Sequence, residues 1–211
     1  MSDHNPLREA CRQAEEHLKI LKKDNCPPII GLCGDIGAGK DSAAAGLVEE
    51  LGYARAAFAN QLKETVAKAF PWIPPCHFFG TQEEKAMVLF VSEGQAWTGR
   101  KLLEVIGQHF RDLFPGVWVR AAMEHIDRSQ ESLNWAITDV RHPNEFEAIR
   151  KRGGVVWEVV KVGGPPAERT GHISDQAWRT VPRDATLVAE FGDLEGLKEA
   201  AVALALAGGR Q

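Results

Sequence analysis

Cysteine is scarce in this chain and scattered: four thiols, Cys11, Cys26, Cys33 and Cys76, occur in 211 residues. None forms a Cys-x-x-Cys pair, and no Cys/His spacing of the zinc-finger kind is present. That excludes a disulfide scaffold and a structural zinc module, and free thiols point to a reducing, cytoplasmic compartment. Long apolar runs are missing too. No stretch approaches the roughly 18 residues that a membrane-spanning helix needs, and Met1 to Lys23 mixes acids and bases without a signal-peptide core. Nor is there an excess of positive charge, since 25 Lys plus Arg stand against 29 Asp plus Glu, a formal −4. Duplex nucleic acid requires a net basic face, so neither a nucleic acid nor a membrane is expected as partner. What remains is a composition of 44 % hydrophobic and 26 % charged residues. It suits a soluble α/β protein with one full core.

The order of patterns along the chain is consistent with that class. Leu7, Ala10, Cys11, Ala14, Leu18 and Leu21 recur at helical spacing, which predicts an amphipathic helix over Leu7 to Lys23 and marks 1–27 as an N-terminal extension. Residues 28–211 form the main domain. Ile29 to Cys33 reads as a buried strand, followed by a glycine-rich turn and a helix from Lys40 to Leu51. A short strand over Tyr53 to Ala59 and a helix over Gln61 to Phe70 come next. Pro71, Pro74 and Pro75 open an irregular insertion, 71–97, rich in aromatic residues. Helices follow at Gly99 to Phe114 and Val117 to Arg128. Strands at Leu133 to Asp139, Val155 to Val162 and Ala185 to Glu190 alternate with helices at Asn144 to Arg152 and Leu194 to Ala207. Such alternation predicts a mostly parallel sheet covered by helices on both faces, a three-layer α/β fold.

The chemistry concentrates after the first strand. Gly34-Asp35-Ile36-Gly37-Ala38-Gly39-Lys40 fits the G-x-x-x-x-G-K phosphate loop. Small residues let backbone N–H groups curl around a phosphate, the next helix offers its positive end, and Lys40 can reach the outer phosphates. The usual pattern continues with Ser or Thr, whereas here Asp41 precedes Ser42. Either can serve a magnesium ion, Asp41 directly or through water. A dinucleotide fold fares worse, because the glycine spacing does not give G-x-G-x-x-G.

Three other regions offer polar candidates. Asp139 ends an apolar strand and is followed by Arg141, a position suited to orienting metal-bound water or a substrate hydroxyl, or to capping the next turn. On the helix Gly99 to Phe114, Arg100, Glu104, Gly107 and Arg111 share one side, opposite Leu102, Ile106, Phe110 and Leu113. That side is either solvated or an anion-binding face, with Gly107 leaving room for a ligand and Lys101 adding charge at the helix start. Residues 161–183 hold Gly163-Gly164, Arg169, His172, Arg179 and Arg183, the makings of a lid or of a plain surface loop.

Taken together these blocks resemble the phage-type deoxynucleoside monophosphate kinases, a branch of the P-loop nucleotide kinases. Gly39-Lys40-Asp41-Ser42 is similar to that family's Gly-Lys-Asp-Thr/Ser, and Phe58-Ala59-Asn60-Gln61-Leu62-Lys63-Glu64 to its Phe-Ala-Asp-Pro-Leu-Lys-Glu. Thr98-Gly99-Arg100-Lys101-Leu102-Leu103, with Gly107, Arg111 and Val117-Trp118-Val119, resembles the block after its insertion. Asp139-Val140-Arg141-His142-Pro143-Asn144-Glu145 resembles its Asp-Val-Arg-Phe-Pro-Asn-Glu. The resemblance implies a P-loop NTPase core and transfer of the ATP γ-phosphoryl group to a deoxynucleoside monophosphate. It implies ATP and Mg²⁺ at Gly34, Gly37, Ala38, Gly39, Lys40, Asp41 and Ser42, with the metal on Asp41 or Ser42. Lys63, Arg100, Lys101, Arg111 and Arg141 would meet the acceptor phosphate, Asp139 and Glu145 would orient sugar or metal-bound water, and Arg169 would act from the lid. Lys40, Arg100, Asp139 and Arg141 are the catalytic candidates, and a homodimer is implied. A kinase of the phosphomevalonate type, which shares the Gly-Lys-Asp loop, and a non-catalytic ATP-binding module are the rival readings.

Overall fold

The computed structural model describes residues 25–129, 133–165 and 178–210. The helix expected at Leu7 to Lys23, and Arg169 and His172, lie outside the described residues. The chain divides into two compact units, one within Met1–Arg55 and Glu131–Gln211, the other within Ala56–Gln130.

The first unit is built on a five-stranded sheet. Its strands are β1 (Ile29–Cys33), β2 (Ala54–Ala56), β5 (Trp135–Ile137), β6 (Val155–Val162) and β7 (Ala185–Glu190), in the order β2-β5-β1-β6-β7. β1 runs parallel to β5 on one side and to β6 on the other, and β7 runs parallel to β6. Every residue of β1 is buried, as an apolar run in a sheet covered on both faces requires. Three helices do the covering: α1 (Lys40–Leu51), α7 (Pro143–Arg150) and α8 (Leu194–Leu206).

Alternation along β1 sorts the two faces. Ile30 and Leu32 join a core cluster with Leu47 of α1 and Leu197 and Leu204 of α8. Gly31 points the other way, where a Cβ would stand 2.6 Å from Ile149 of α7 and 2.7 Å from Val140. The missing side chain therefore sets how closely α7 approaches the sheet. The same device joins α1 to α8, since a Cβ on Gly46 would lie 2.9 Å from the Lys198 backbone. The mostly parallel sheet between helices is the α/β architecture that the alternating pattern predicts, and it is consistent with a P-loop kinase-like domain.

The second unit holds α2 (Ala59–Ala69), the short helices α3 (Cys76–Phe79) and α4 (Gln82–Ala86), the hairpin β3 (Val88–Ser92) and β4 (Gln95–Thr98), α5 (Gly99–Leu113) and α6 (Val117–Arg128). Leu62, Val66, Ile73, Phe78, Leu102 and Trp118 form its core. The stretch 71–97, expected to be irregular, is thus partly ordered into short elements. A two-residue turn closes the hairpin, with Glu93 at φ 53° and Gly94 at φ 77°, the backbone that such tight turns demand. No helix among the described residues is long and apolar enough to cross a membrane.

Candidate functional site

The glycine loop leaves the end of β1 and turns directly into α1. Gly34, Gly37 and Gly39 take φ of 138°, 74° and 99°, values that a side chain strongly disfavours. At Gly34 space is short as well, because a Cβ would collide with the Val159 carbonyl oxygen of β6. Gly39 occupies the N-cap of α1 and has no side chain with which to cap the helix N–H groups. A helix start left uncapped in this way carries partial positive charge and suits an anion.

Lys40 bends back along the loop, donating from Nζ to the carbonyl oxygens of Gly34 at 2.9 Å and Asp35 at 2.7 Å. Burial pushes the proton affinity of its amine down, and the nearby positive charge of Arg141 adds to that shift. Two cations therefore converge on the same end of α1. Arg141 arrives there because the chain continues beyond β5 alongside β1, with Val140 N–H donating to the Leu32 carbonyl at 3.1 Å. The following turn is held by Glu145, whose Oε2 accepts from the N–H groups of Arg141 at 2.6 Å and His142 at 3.0 Å. Glu145 is only 3 % exposed, so its visible work is to shape the Asp139–Arg141 segment. Asp139 sits half-buried just before that turn.

The carboxylate beside Lys40 is engaged. Asp41 in the first turn of α1 is ion-paired with Arg55, the residue at the centre of β2. Ser42, the next residue, is half-buried. Among the described residues no group of three or more His, Cys, Asp or Glu side chains gathers to hold a metal. A magnesium ion at this loop would draw most of its ligands from phosphate oxygens and water, as Mg²⁺ characteristically does.

Between the loop and the outer end of β6 lies a cleft of about 440 Å³, lined by Asp35, Ile36, Glu158, Lys161, Trp178 and Arg179 among others. It opens where the chain crosses from one side of β1 to the other, the place where open parallel sheets hold ligands. Glu158 pairs with Arg183 at 2.9 Å. Arg179 donates from Nη2 to Oδ1 of Asp35 at 3.1 Å and lies over the Trp178 ring. The sequence reading did not single out Asp35, Arg55, Glu158 or Trp178. Asp35, Arg55 and Glu158 find their partners well away along the chain, and the stacking of Arg179 on its neighbour Trp178 follows no motif.

In the second unit, Arg100 donates to the Gln82 side chain at 2.6 Å, and the Lys101 ammonium stands 5.3 Å from the centroid of the Trp97 ring. Lys63 and Arg111 are half-buried. The room expected over Gly107 is filled by Leu62, which a Cβ on Gly107 would meet at 2.7 Å, and the Gly107 carbonyl accepts from Trp118 Nε1 at 3.1 Å. The packed side of α5 thus includes Gly99, Leu102 and Gly107, while Leu113 is 73 % exposed. The apolar stripe read from spacing is rotated toward Gly107, because a tight contact on glycine outweighs a looser one on Leu113.

Loop, helix and sheet define an α/β domain with a glycine-rich turn at the end of its central strand. No family model matches the chain. Over 150 residues, 64 % of this chain and 75 % of the other, it is 28 % identical to a protein of Acanthamoeba polyphaga mimivirus named "Putative deoxynucleotide monophosphate kinase".

Proposed function

We propose that this chain is an ATP-dependent deoxynucleoside monophosphate kinase. The observation that carries the reading is the convergence of Lys40 and Arg141 on the uncapped N-terminus of α1, inside a loop whose glycines hold left-handed backbone. Cationic side chains gathered at the positive end of a helix suit a ligand that carries more than one negative charge. The name of the mimiviral relative supports a nucleotide as that anion.

In the proposed reaction an oxygen of the acceptor's phosphate forms a bond to the γ-phosphorus of ATP. The bond from that phosphorus to the β–γ bridging oxygen breaks, and its electron pair leaves on ADP. A phosphate monoester has its second pKa near ~6, so at neutral pH the acceptor is already an anion and needs no general base. Catalysis then consists of positioning and charge neutralisation. The N–H groups of Gly37, Ala38 and Gly39 and the Lys40 ammonium receive the donor's phosphates, while Gly34 gives the loop its turn. Arg141 offsets charge on the transferring group, and Asp139 orients the acceptor's sugar or metal-bound water, held in place by Glu145. Lys63, Arg100, Lys101 and Arg111 bind the acceptor phosphate. Asp41 or Ser42 would hold Mg²⁺, which when bound would supply positive charge against the donor's phosphates. Arg169 acts from the lid in this reading, and the working form is a cytoplasmic homodimer.

The decisive experiment is a coupled ADP-release assay over a panel of deoxynucleoside monophosphates, ribonucleoside monophosphates and non-nucleoside phosphate esters. Turnover confined to deoxynucleotides is the expected result. Turnover only with another phosphate ester would move the chain to a different kinase class, and ATP binding without transfer to any acceptor would make it a binding module.

A further inference from the structure

Asp35 presents a difficulty to any anion entering the loop. Its carboxylate, 44 % exposed, stands in the very turn that is to receive phosphate, and like charges so placed repel. The structure supplies the counter-charge from far along the chain. Arg179, in the short 3-10 turn Trp178–Thr180, brings one guanidinium nitrogen to 3.1 Å from Oδ1 and 3.5 Å from Oδ2 of Asp35. Both residues line the cleft beside the loop.

As a source of stability this pair would be slight, since both side chains are more than two-fifths exposed and such pairs contribute little. Its geometry is more informative. A guanidinium carries five N–H donors in a rigid fork, and the bond to Asp35 uses Nη2 alone. The plane is further fixed by the indole of Trp178, with Arg179 Cζ 5.0 Å from the ring centroid and the indole buried at 7 % exposure. Anchored on one side and supported on one face, the guanidinium keeps its other edge for a second acceptor at the same cleft.

We propose that Asp35 is a positioning residue, holding Arg179 beside the glycine loop so that the remaining guanidinium donors bind the polyphosphate of the incoming nucleotide. This rests on the reading of the loop as a nucleotide site, and it extends that reading to two residues outside the G-x-x-x-x-G-K consensus positions. Asp35 acts through Arg179. Left alone, its carboxylate would oppose the ligand.

That opposition makes the test a matter of sign. Binding of ATP, ADP and AMP to the full chain is measured by calorimetry at fixed magnesium, for the parent, Asp35→Asn, Arg179→Ala and the double variant. Arg179→Ala weakens ATP about tenfold, the scale of a lost charge-assisted contact, weakens ADP less and leaves AMP nearly unchanged. Asp35→Asn weakens ATP by about threefold in the parent, where it releases Arg179, yet tightens ATP in the Arg179→Ala background, where it removes a bare carboxylate. Asp35→Glu keeps most of the affinity. If Asp35→Asn tightens ATP in both backgrounds, Asp35 is merely repulsive and the inference is overturned. If Arg179→Ala affects the three nucleotides equally, Arg179 does not meet the outer phosphates and the inference is likewise overturned. Failure of the parent to bind ATP would instead overturn the nucleotide reading itself, and the inference with it.

Discussion

The Lys40 ammonium donates to the carbonyl oxygen of Gly34, 2.9 Å away, so the lysine spans the loop that it is to serve. An incoming phosphate would compete for the same protons and would regain for the amine the proton affinity that burial and Arg141 remove. Lys40→Ala is expected to lower phosphoryl transfer at least about a hundredfold, the scale of losing one preorganised charge at a transfer site. Its far-ultraviolet circular dichroism should match the parent. A variant with near-normal kcat would remove Lys40 from the chemistry.

Asp41 and Ser42 separate by what already engages them. Because the Asp41 carboxylate is ion-paired with Arg55, Ser42→Ala should raise the magnesium concentration for half-maximal activity by about tenfold, and Asp41→Asn by clearly less. Titration of kcat against Mg²⁺ at saturating ATP measures both. The reverse order would make Asp41 the principal metal residue.

The acceptor side is tested through KM. Arg100→Ala is expected to raise KM for the deoxynucleoside monophosphate about tenfold or more while leaving KM for ATP within about twofold, since a phosphate-binding arginine acts on its own ligand. Initial rates with one substrate varied at a time supply the comparison. Equal effects on both constants would assign Arg100 a structural part, consistent with its bond to Gln82.

Packing at Gly31 predicts a loss of stability without a direct loss of chemistry. Gly31→Ala would press a methyl group onto Val140 and onto Ile149 of α7 and should cost about 2–3 kcal/mol, the range for overpacking a tight interior. Urea unfolding gives the value. Because α7 begins at the turn that carries Arg141, a rise in KM for ATP at temperatures below the transition is expected to accompany it.

Cys33 gives a pH dependence. Burial pushes its thiol up to about 11, with Glu158 adding to the shift, from an ordinary value of 9.0. A raised thiol pKa contributes stability that is fully present below pH 9 and lost as the pH rises toward 11, because only the unfolded chain ionises in that window. The stability advantage of the parent over Cys33→Ala should therefore shrink by on the order of 2 kcal/mol across that interval. Urea melts at the two ends of the window measure it. In the native protein at pH 8, half-buried Cys76 should react with an alkylating reagent ahead of buried Cys26 and Cys33.

How far the sequence could be read depended on the range of the forces involved. Ile29 to Cys33, Lys40 to Leu51 and Val155 to Val162 were legible to the residue, because apolar runs and helical periods are local signals bounded by glycine. The G-x-x-x-x-G-K loop was legible for the same reason: its left-handed glycines and its lysine lie within seven positions of one another. The hairpin Val88–Thr98 is not legible in the sequence although Glu93-Gly94 supplies its turn, since Pro71, Pro74 and Pro75 upstream point to an irregular stretch. The face of α5 was misjudged because spacing cannot say that Leu62 will occupy the hollow of Gly107. By itself, then, the sequence determined the alternation of strands and helices and the place of the glycine loop before α1. Only the tertiary structure decided which charges meet there. Arg141 reaches Lys40 through the pairing of β1 with β5, Arg179 reaches Asp35 across 144 residues, and Glu145 is buried to hold a turn. Backbone preference is a property of neighbours in sequence, whereas electrostatic partnership is a property of neighbours in space, and the sheet alone makes them neighbours.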